Sequence, residues 1–345
     1  MAEIAVIDCG PATTIQDAGR FGLQRFGVGP VGAMDRTALA IANLLVGNAT
    51  DEAAIEFAGL GGRFRVSEGV ARVALVGADA VLSVEGEPVA PWTSVTLRAG
   101  ETFTVGAPRS GTFAMLAIAG GLDVAPALGS RSLHLRAAIG GLGGRGLRPG
   151  DALPLRRGTV DGDDLVLIDP PKPRVGPIRV VLGPQADHFT QAGIDTFLSG
   201  AYTVSQQADR MGYRLNGPRI EHANGFNIVS DGIVTGSIQV PGSGEPIVLM
   251  ADRQTTGGYP KIATIISADL SRFAQLRPGE TVRFAAISAA EAIAAAREEA
   301  KAIAALRGRL QPAGSIDLTS ERLLALTLVG GFVDAHAEFF EEETV

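Results

Sequence analysis

A mainly β chain with a few helices, divided into two halves, is the fold the sequence predicts, on three observations. Between residues 53 and 156, short apolar runs (Val73–Val76, Val81–Val84, Ser94–Leu97, Thr102–Val105, Phe113–Ala119) alternate with turn residues. Closely spaced short strands of this kind build a sandwich or barrel, not a nucleotide-binding α/β sheet. The stretch 157–177, RGTVDGDDLVLIDPPKPRVGP, then mixes acids with prolines as an interdomain boundary does. Beyond it a second β series begins, with Ile178–Leu182, Ile233–Val240, Ile247–Met250 and Ile262–Ser267. The expected domains are therefore 1–168, 176–287, and a C-terminal helix with its tail, 288–345.

The chain in order supports this division. Residues 3–8 form an apolar strand stopped by Gly10 and Pro11, and Thr13–Gly22 is a loop or strand end carrying Gln16, Asp17 and Arg20. Asp17 and Arg20 either pair with each other or join Gln16 in a site wall. A helix is predicted over Asp35–Val46, capped by Asp35, striped by Leu39, Ala42, Leu45 and Val46, and ended by Gly47. Asn43 sits at the edge of that stripe, where it serves neighbouring backbone or a ligand. Gly141–Gly146 fits GxGxxG by letter, but Leu-Arg-Pro-Gly-Asp follows where a helix should begin, so a loop is expected. Leu-Arg-Ala-Gly-Glu (97–101), Leu-Arg-Pro-Gly-Asp (147–151) and Leu-Arg-Pro-Gly-Glu (276–280) read as one reused turn before a strand.

In the second half Asp187 is placed to cap a helix reaching Leu198. Arg210 and Arg214 alternate with Met211, Tyr213 and Leu215 near a strand. Two guanidinium groups there suit an anion, or Arg210 pairs with Asp209 or Glu221. Ser288 and Glu291 form a capping box for a helix to about Arg307. The tail holds an apolar run, Leu323–Val329, and acids at 341–343.

Composition removes whole classes of function. A net charge of −7 argues against nucleic acid and anionic membranes as partners, since either needs a basic face. The N-terminus lacks the basic and apolar regions of a signal peptide, and no apolar run is long enough to cross a bilayer, so a cytoplasmic location is expected. A single cysteine, Cys9, forms no internal disulfide and reads as a buried inert thiol. The four histidines, His134, His188, His222 and His336, are too dispersed for a metal site. There is no Gly-x-Ser-x-Gly elbow, no Walker A sequence, and none of the three lysines (Lys172, Lys261, Lys301) lies in a biotin attachment sequence.

What remains is a polar cluster where burial should exclude it. Gln239 interrupts an apolar strand, and Asp252, Arg253, Gln254, Thr255 and Thr256 close another, followed by Gly257, Gly258 and Tyr259. Amides beside a carboxylate suit a planar ligand with N–H and C=O groups, such as an amide, lactam or ureido ring. The expected catalytic residues are Asp252, which orients or deprotonates an amide N–H, Gln239, Gln254 and, at the edge, Lys261. The expected substrate-binding residues are Gln16, Asp17, Arg20, Asn43, Arg210, Thr255, Thr256, Gly257, Gly258 and Tyr259.

The segments Gly-Ser-Ile-Gln-Val-Pro (236–241) and Asp-Arg-Gln-Thr-Thr-Gly-Gly-Tyr-Pro (252–260) resemble the family of allophanate hydrolase subunit 2, also called KipA or the C subunit of 5-oxoprolinase. So do Thr-Thr-Ile-Gln-Asp-Ala-Gly-Arg (13–20), Gly-Ala-Met-Asp (32–35), Ala-Asn-Leu-Leu-Val-Gly-Asn (42–48), Gly-Gly-Leu-Asp-Val (120–124) and Asp-Arg-Met-Gly-Tyr-Arg-Leu (209–215). The resemblance spans nearly the whole chain. It implies two β-barrel-like halves, at least one of them cyclophilin-like, and a kinship with the carboxyltransferase domain of urea carboxylase. It implies the C subunit of an ATP-dependent 5-oxoprolinase, opening a lactam to glutamate with a KipI-like B subunit and a third, A-type subunit. ATP is then used in the complex, and no covalent cofactor sits on this chain. Two alternatives stand beside it: a biotin-dependent carboxyltransferase component, with biotin as a substrate-like ligand, and a non-catalytic regulator that binds a KipI-like kinase inhibitor.

Overall fold

Two β systems, one after the other in sequence, account for most of the computed structural model, which describes residues 2–158 and 160–315. In the first, a six-stranded sheet runs in the order Ala152–Pro154, Glu3–Cys9, Gly62–Glu68, Thr102–Val105, Leu82–Val84, Glu87–Pro88. A five-stranded sheet runs Thr14–Gln16, Ala54–Ala58, Phe113–Ile118, Val70–Gly77, Ser94–Arg98. Ile4, Val6, Phe64 and Phe103 of one sheet share a buried cluster with Ile15, Ile55, Phe57, Val73 and Leu116 of the other. The five-stranded sheet also carries helix α1 (Arg36–Leu45), whose Leu39, Ile41 and Leu45 pack with Val76 and Met115. Its strand Phe113–Ile118 is accordingly apolar at every position and buried on both faces.

The second system is an eight-stranded sheet in the order Thr281–Val282, Tyr202–Ala208, Gly212–Asn216, Ile247–Leu249, Ser237–Gln239, Lys261–Ile265, Ile178–Leu182, Phe284–Ala286. Its two edges are consecutive pieces of one segment, 281–286, so the sheet curls round to a nearly closed barrel. Tyr202, Tyr213, Ile238, Val248 and Phe273 fill the interior. Three more helices complete the described chain: α2 (Gln191–Ser199), α3 (Ser267–Ala274) and α4 (Ala289–Ala305). Met1–Ala313 forms one compact unit, and the apolar run Leu323–Val329 and the acids at 341–343 lie outside the described residues.

Local chemistry explains most boundaries. Asp35 caps α1 by accepting from the Ala38 amide at 2.8 Å, and the Ser288–Glu291 capping box of α4 is formed in full. The three Leu-Arg-x-Gly-acid segments adopt one geometry. In each, the acid's amide donates to the Arg carbonyl, while its carboxylate accepts from the Arg amide. Three expectations are corrected. The α2 cap is Thr190, whose hydroxyl accepts from Gly193, while Asp187 sits in a preceding 3-10 turn. Ile233–Val240 contains only the strand Ser237–Gln239, because a turn at Gly236 interrupts it. Ser267 belongs to α3, an eight-residue helix missed because a polar start and one buried acid, Asp269, blur its apolar face.

Candidate functional site

The polar hairpin and the N-terminal loop, both singled out by sequence, meet in space. Gln24, in a short 3-10 turn, donates its side-chain amide to the carbonyls of Ile233 (2.7 Å) and Thr255 (3.2 Å), which pins the loop after Arg20 to the hairpin. The loop itself is held by backbone pairing: Arg20 donates to Pro30, and Ala33 donates to Asp17. A Cβ on Gly32 would lie 2.8 Å from the Ala18 carbonyl, so only glycine lets the two passes approach this closely.

Asp17 does not pair with Arg20 by hydrogen bond. Its carboxylate accepts from Gly19, Ser130, Ser132 and Arg131, over 2.6–2.8 Å. Burial would raise this carboxyl, but the four donors outweigh it and hold Asp17 below its ordinary value of 3.8. A carboxyl depressed in the folded state contributes stability that is present above the unfolded value and lost as pH falls through the folded one. Asp17→Asn is therefore expected to lower unfolding stability at pH 7 by about 2–3 kcal/mol. The gap to the parent should narrow below pH 4, as read by denaturant titration across pH. Gln16 lies deeper, donating to Thr14 and the Leu133 carbonyl. Asn43 serves the fold instead, its side-chain amide donating to the Glu52 carbonyl and its oxygen accepting from Asn48.

Arg210 is the largest departure from the expectations. Its partners are neither Asp209, which caps the backbone of Met211 and Gly212, nor Glu221. It grips Asp252 with two bonds (3.1 and 2.8 Å), pairs with Glu56 and donates to the Gly32 carbonyl at 2.8 Å. Glu56 stands mid-strand in Ala54–Ala58, fully buried, and also accepts from the Met34 amide. Burial alone would lower Arg210, but the two carboxylates hold it above the ordinary arginine value. Asp252 thus faces a cation inside the protein, and Arg210, bonded to Asp252 on one side and to Glu56 and Gly32 on the other, ties the two β systems together.

The other hairpin residues sort by contact. Gln239 is buried and donates to the Tyr259 carbonyl at 3.3 Å. A Cβ on Gly257 would come within 2.6 Å of the Gln239 amide nitrogen and of Ile233. The close approach inferred for this glycine is therefore to its own chain. A Cβ on Gly258 would sit at ordinary contact distance from the Ile228 carbonyl (3.5 Å), Thr256 pairs with Gly232, and the Thr255 carbonyl receives Gln24 and Ile233. Lys261 is buried, its ammonium 2.9 Å from Asp231. Gln254 has a buried side-chain oxygen with no hydrogen-bond partner.

Between the loop and the hairpin lies a cavity of about 260 Å³ lined by Arg20, Arg36 and Arg253 together with Phe21, Gln24 and Thr235, and by no acidic residue. Arg253 is buried, donates to Ile233 and Thr235 (3.2 and 2.8 Å), and has no carboxylate partner. Burial, with Arg36 adding to it, pushes its pKa down to about 10. Arg20 donates through its other nitrogens to Ser132 and Ala127, and its Nη1 has no partner. A buried donor without a partner is rare in folded proteins, and Arg20, which carries one, lines this cavity beside Arg253, a buried cation without a carboxylate. The arrangement suits a small anion with hydrogen-bonding groups on its far side.

A sequence profile described as the carboxyltransferase domain, subdomain A and B, matches residues 26–286. The chain is 38% identical over 311 residues to the C subunit of 5-oxoprolinase from Escherichia coli, covering 89% of this chain and 98% of that one. The C subunit of the Haemophilus influenzae 5-oxoprolinase is also 38% identical, over 289 residues, covering 84% of this chain and 93% of its own. The chain belongs to this family. Its fold superposes on the crystal structure of the K. lactis urea amidolyase with a TM-score of 0.82 at 28% identity, covering 92% of this chain and 20% of that one. This family member therefore corresponds to about a fifth of that longer chain. Among its described residues no group of three or more His, Cys, Asp or Glu side chains is placed to hold a metal ion. No described helix is long and apolar enough to cross a membrane.

Sequence reasoning missed Glu56, Gln24 and Arg36, and it placed Arg253 in the polar cluster without giving it a role. Glu56 had a usable signal, a lone carboxylate centred in the apolar run Ala-Ile-Glu-Phe-Ala. Arg253 stood inside the polar hairpin segment, but nothing local distinguishes an unpaired arginine from a paired one.

Proposed function

We propose that this chain is the C subunit of an ATP-dependent 5-oxoprolinase, acting with a KipI-like B subunit and an A-type subunit, and that the arginine-lined cavity holds the substrate. The observation that carries the reading is the cavity itself, three guanidinium groups with no acid, in a chain matching nearly the full length of two 5-oxoprolinase C subunits. 5-Oxoproline has one carboxylate and one lactam. Arg253 and Arg20 take the carboxylate through charge-assisted hydrogen bonds, and Gln24 and Thr235 stand where a lactam N–H and C=O need partners. Opening the ring adds water across the C–N bond, giving the second carboxylate and the amine of glutamate. The cavity wall includes no Asp, Glu, His, Cys or Lys to move those protons. The acid–base groups, and the handling of ATP, belong on this reading to the assembled complex. Asp252 acts by positioning Arg210, and Gln239 and Lys261 by shaping the hairpin.

The test is reconstitution. The three subunits together, with ATP, are expected to consume 5-oxoproline and release glutamate, and each pair to do so poorly or not at all. No turnover by any combination sinks the reading. The family profile and the urea amidolyase likeness favour a second reading, a carboxyltransferase component. It predicts carboxybiotin-dependent carboxylation of urea or a related amide, with free biotin protecting the cavity from an arginine-specific reagent.

A further inference from the structure

We propose that the outer rim of the arginine cavity is the docking surface for the B-type subunit, which closes the site when it binds. The proposal rests on the chain being one subunit of a multi-subunit enzyme, and concerns which face is used. Two stitched segments form the rim. The first is the loop bearing Phe21 (63% exposed) and Phe26 (66%), and the second is the ribbon bearing Val234 (54%), Val229 (92%) and Tyr259. Gln24 fastens the loop to the ribbon, and Ile228 bonds Gly258 while Asp231–Gly232 pairs with Thr256–Gly257, so these side chains belong to one continuous area.

The 3-10 turn Gln24–Phe26 buries none of its residues, and the chain's own packing leaves the Phe21 and Phe26 rings mostly in solvent. Each ring would remove roughly 150–250 Å² from water in an interface, and buried aromatics of this type dominate binding energy. The charge pattern gives the occupant its chemistry. Arg25 lies over the Phe26 ring at 4.7 Å and Arg36 over the Phe21 ring at 5.4 Å, and neither has an ion pair among the described residues. The matching surface is an apolar patch that carries carboxylates opposite these two cations. Sealing the rim also excludes water from the cavity, which strengthens every contact to a bound carboxylate.

The experiment measures association of the purified chain with the purified B-type subunit by calorimetry, separately from turnover. Phe26→Asp combined with Val229→Asp touches no residue lining the cavity and is expected to weaken association at least 30-fold. Val175→Asp, at a position 87% exposed on the segment between the two β systems, is expected to change it less than twofold. Arg25→Glu should weaken binding several-fold and reduce its salt dependence. Unfolding midpoints within about 2 °C of the parent would show that the fold is intact, since all four positions are at the surface. Unchanged association in the double variant overturns the proposal. So does a finding that the substitutions only split a self-associated form of this chain. Failure of the three-subunit mixture to turn over 5-oxoproline would count against the functional reading and leave this association result standing.

Discussion

Replacing Arg253 by Met is expected to weaken substrate binding severely while leaving the unfolding midpoint at or above that of the parent. The reason is the missing carboxylate. A cation buried without a counter-charge is held at a cost, and its pKa near 10 against an ordinary 12.5 puts that cost at about 3 kcal/mol at neutral pH. The hydrogen bonds to Ile233 and Thr235 return about 1 kcal/mol each. Met fills similar volume without charge, so stability stays level or rises slightly. Activity responds in the opposite sense. Loss of one bidentate contact to the substrate carboxylate should lower kcat/KM about 100-fold, equivalent to about 2.7 kcal/mol. Arg253→Lys keeps the charge without the fork and should fall between. Calorimetric unfolding supplies the decisive comparison: 5-oxoproline raises the midpoint of the parent and leaves that of Arg253→Met unmoved. A variant that is both less stable and still responsive to ligand would make Arg253 a structural residue.

The same contrast shows what the sequence exposes and what it hides. Strand alternation, the Asp35 cap and the Ser288–Glu291 box are decided within a few neighbouring residues, and each was legible. Even the three Leu-Arg-x-Gly-acid turns close on themselves. Asp17 was legible only as a polar residue near glycines, because three of its four partners lie 113 to 115 positions away, in 130–132. Arg210 lies 42 positions from Asp252 and 154 from Glu56, and nothing local ranks those carboxylates above the adjacent Asp209. The polar hairpin lies beside the arginine-lined cavity. Within it, though, the residue that faces the cavity is the arginine between Asp252 and Gln254, and which of three successive polar side chains points inward depends on a turn that periodicity does not resolve.

Arg210→Met is expected to cause the largest loss of stability, about 3–5 kcal/mol, because it strands two buried carboxylates at once. Glu56 is fully buried and Asp252 nearly so, and without the guanidinium only the Met34 amide remains to Glu56. The destabilisation should shrink as pH falls, as that of Asp17→Asn does, but from the opposite cause and over a higher pH range. Burial raises the Glu56 carboxyl, and with its cation gone the rise is larger. A carboxyl raised in the folded state is favoured below its unfolded value and progressively disfavoured as pH climbs through the folded one. Arg210→Met should therefore lie closer to the parent at pH 5 than at pH 8. Adding Glu56→Gln should recover part of the loss at pH 8 and little at pH 5, a coupling that a double-mutant cycle reads directly. The effect reaches the cavity through geometry. Arg210 also bonds the Gly32 carbonyl, and the Gly32 segment packs against Ala18 and Gly19, next to Arg20. With that tie cut, the loop loses part of the support that holds Arg20 at the cavity wall, and 5-oxoproline should bind more weakly even where the fold survives. Undiminished ligand stabilisation in Arg210→Met at pH 5 would show that the triad holds the halves together without setting the site.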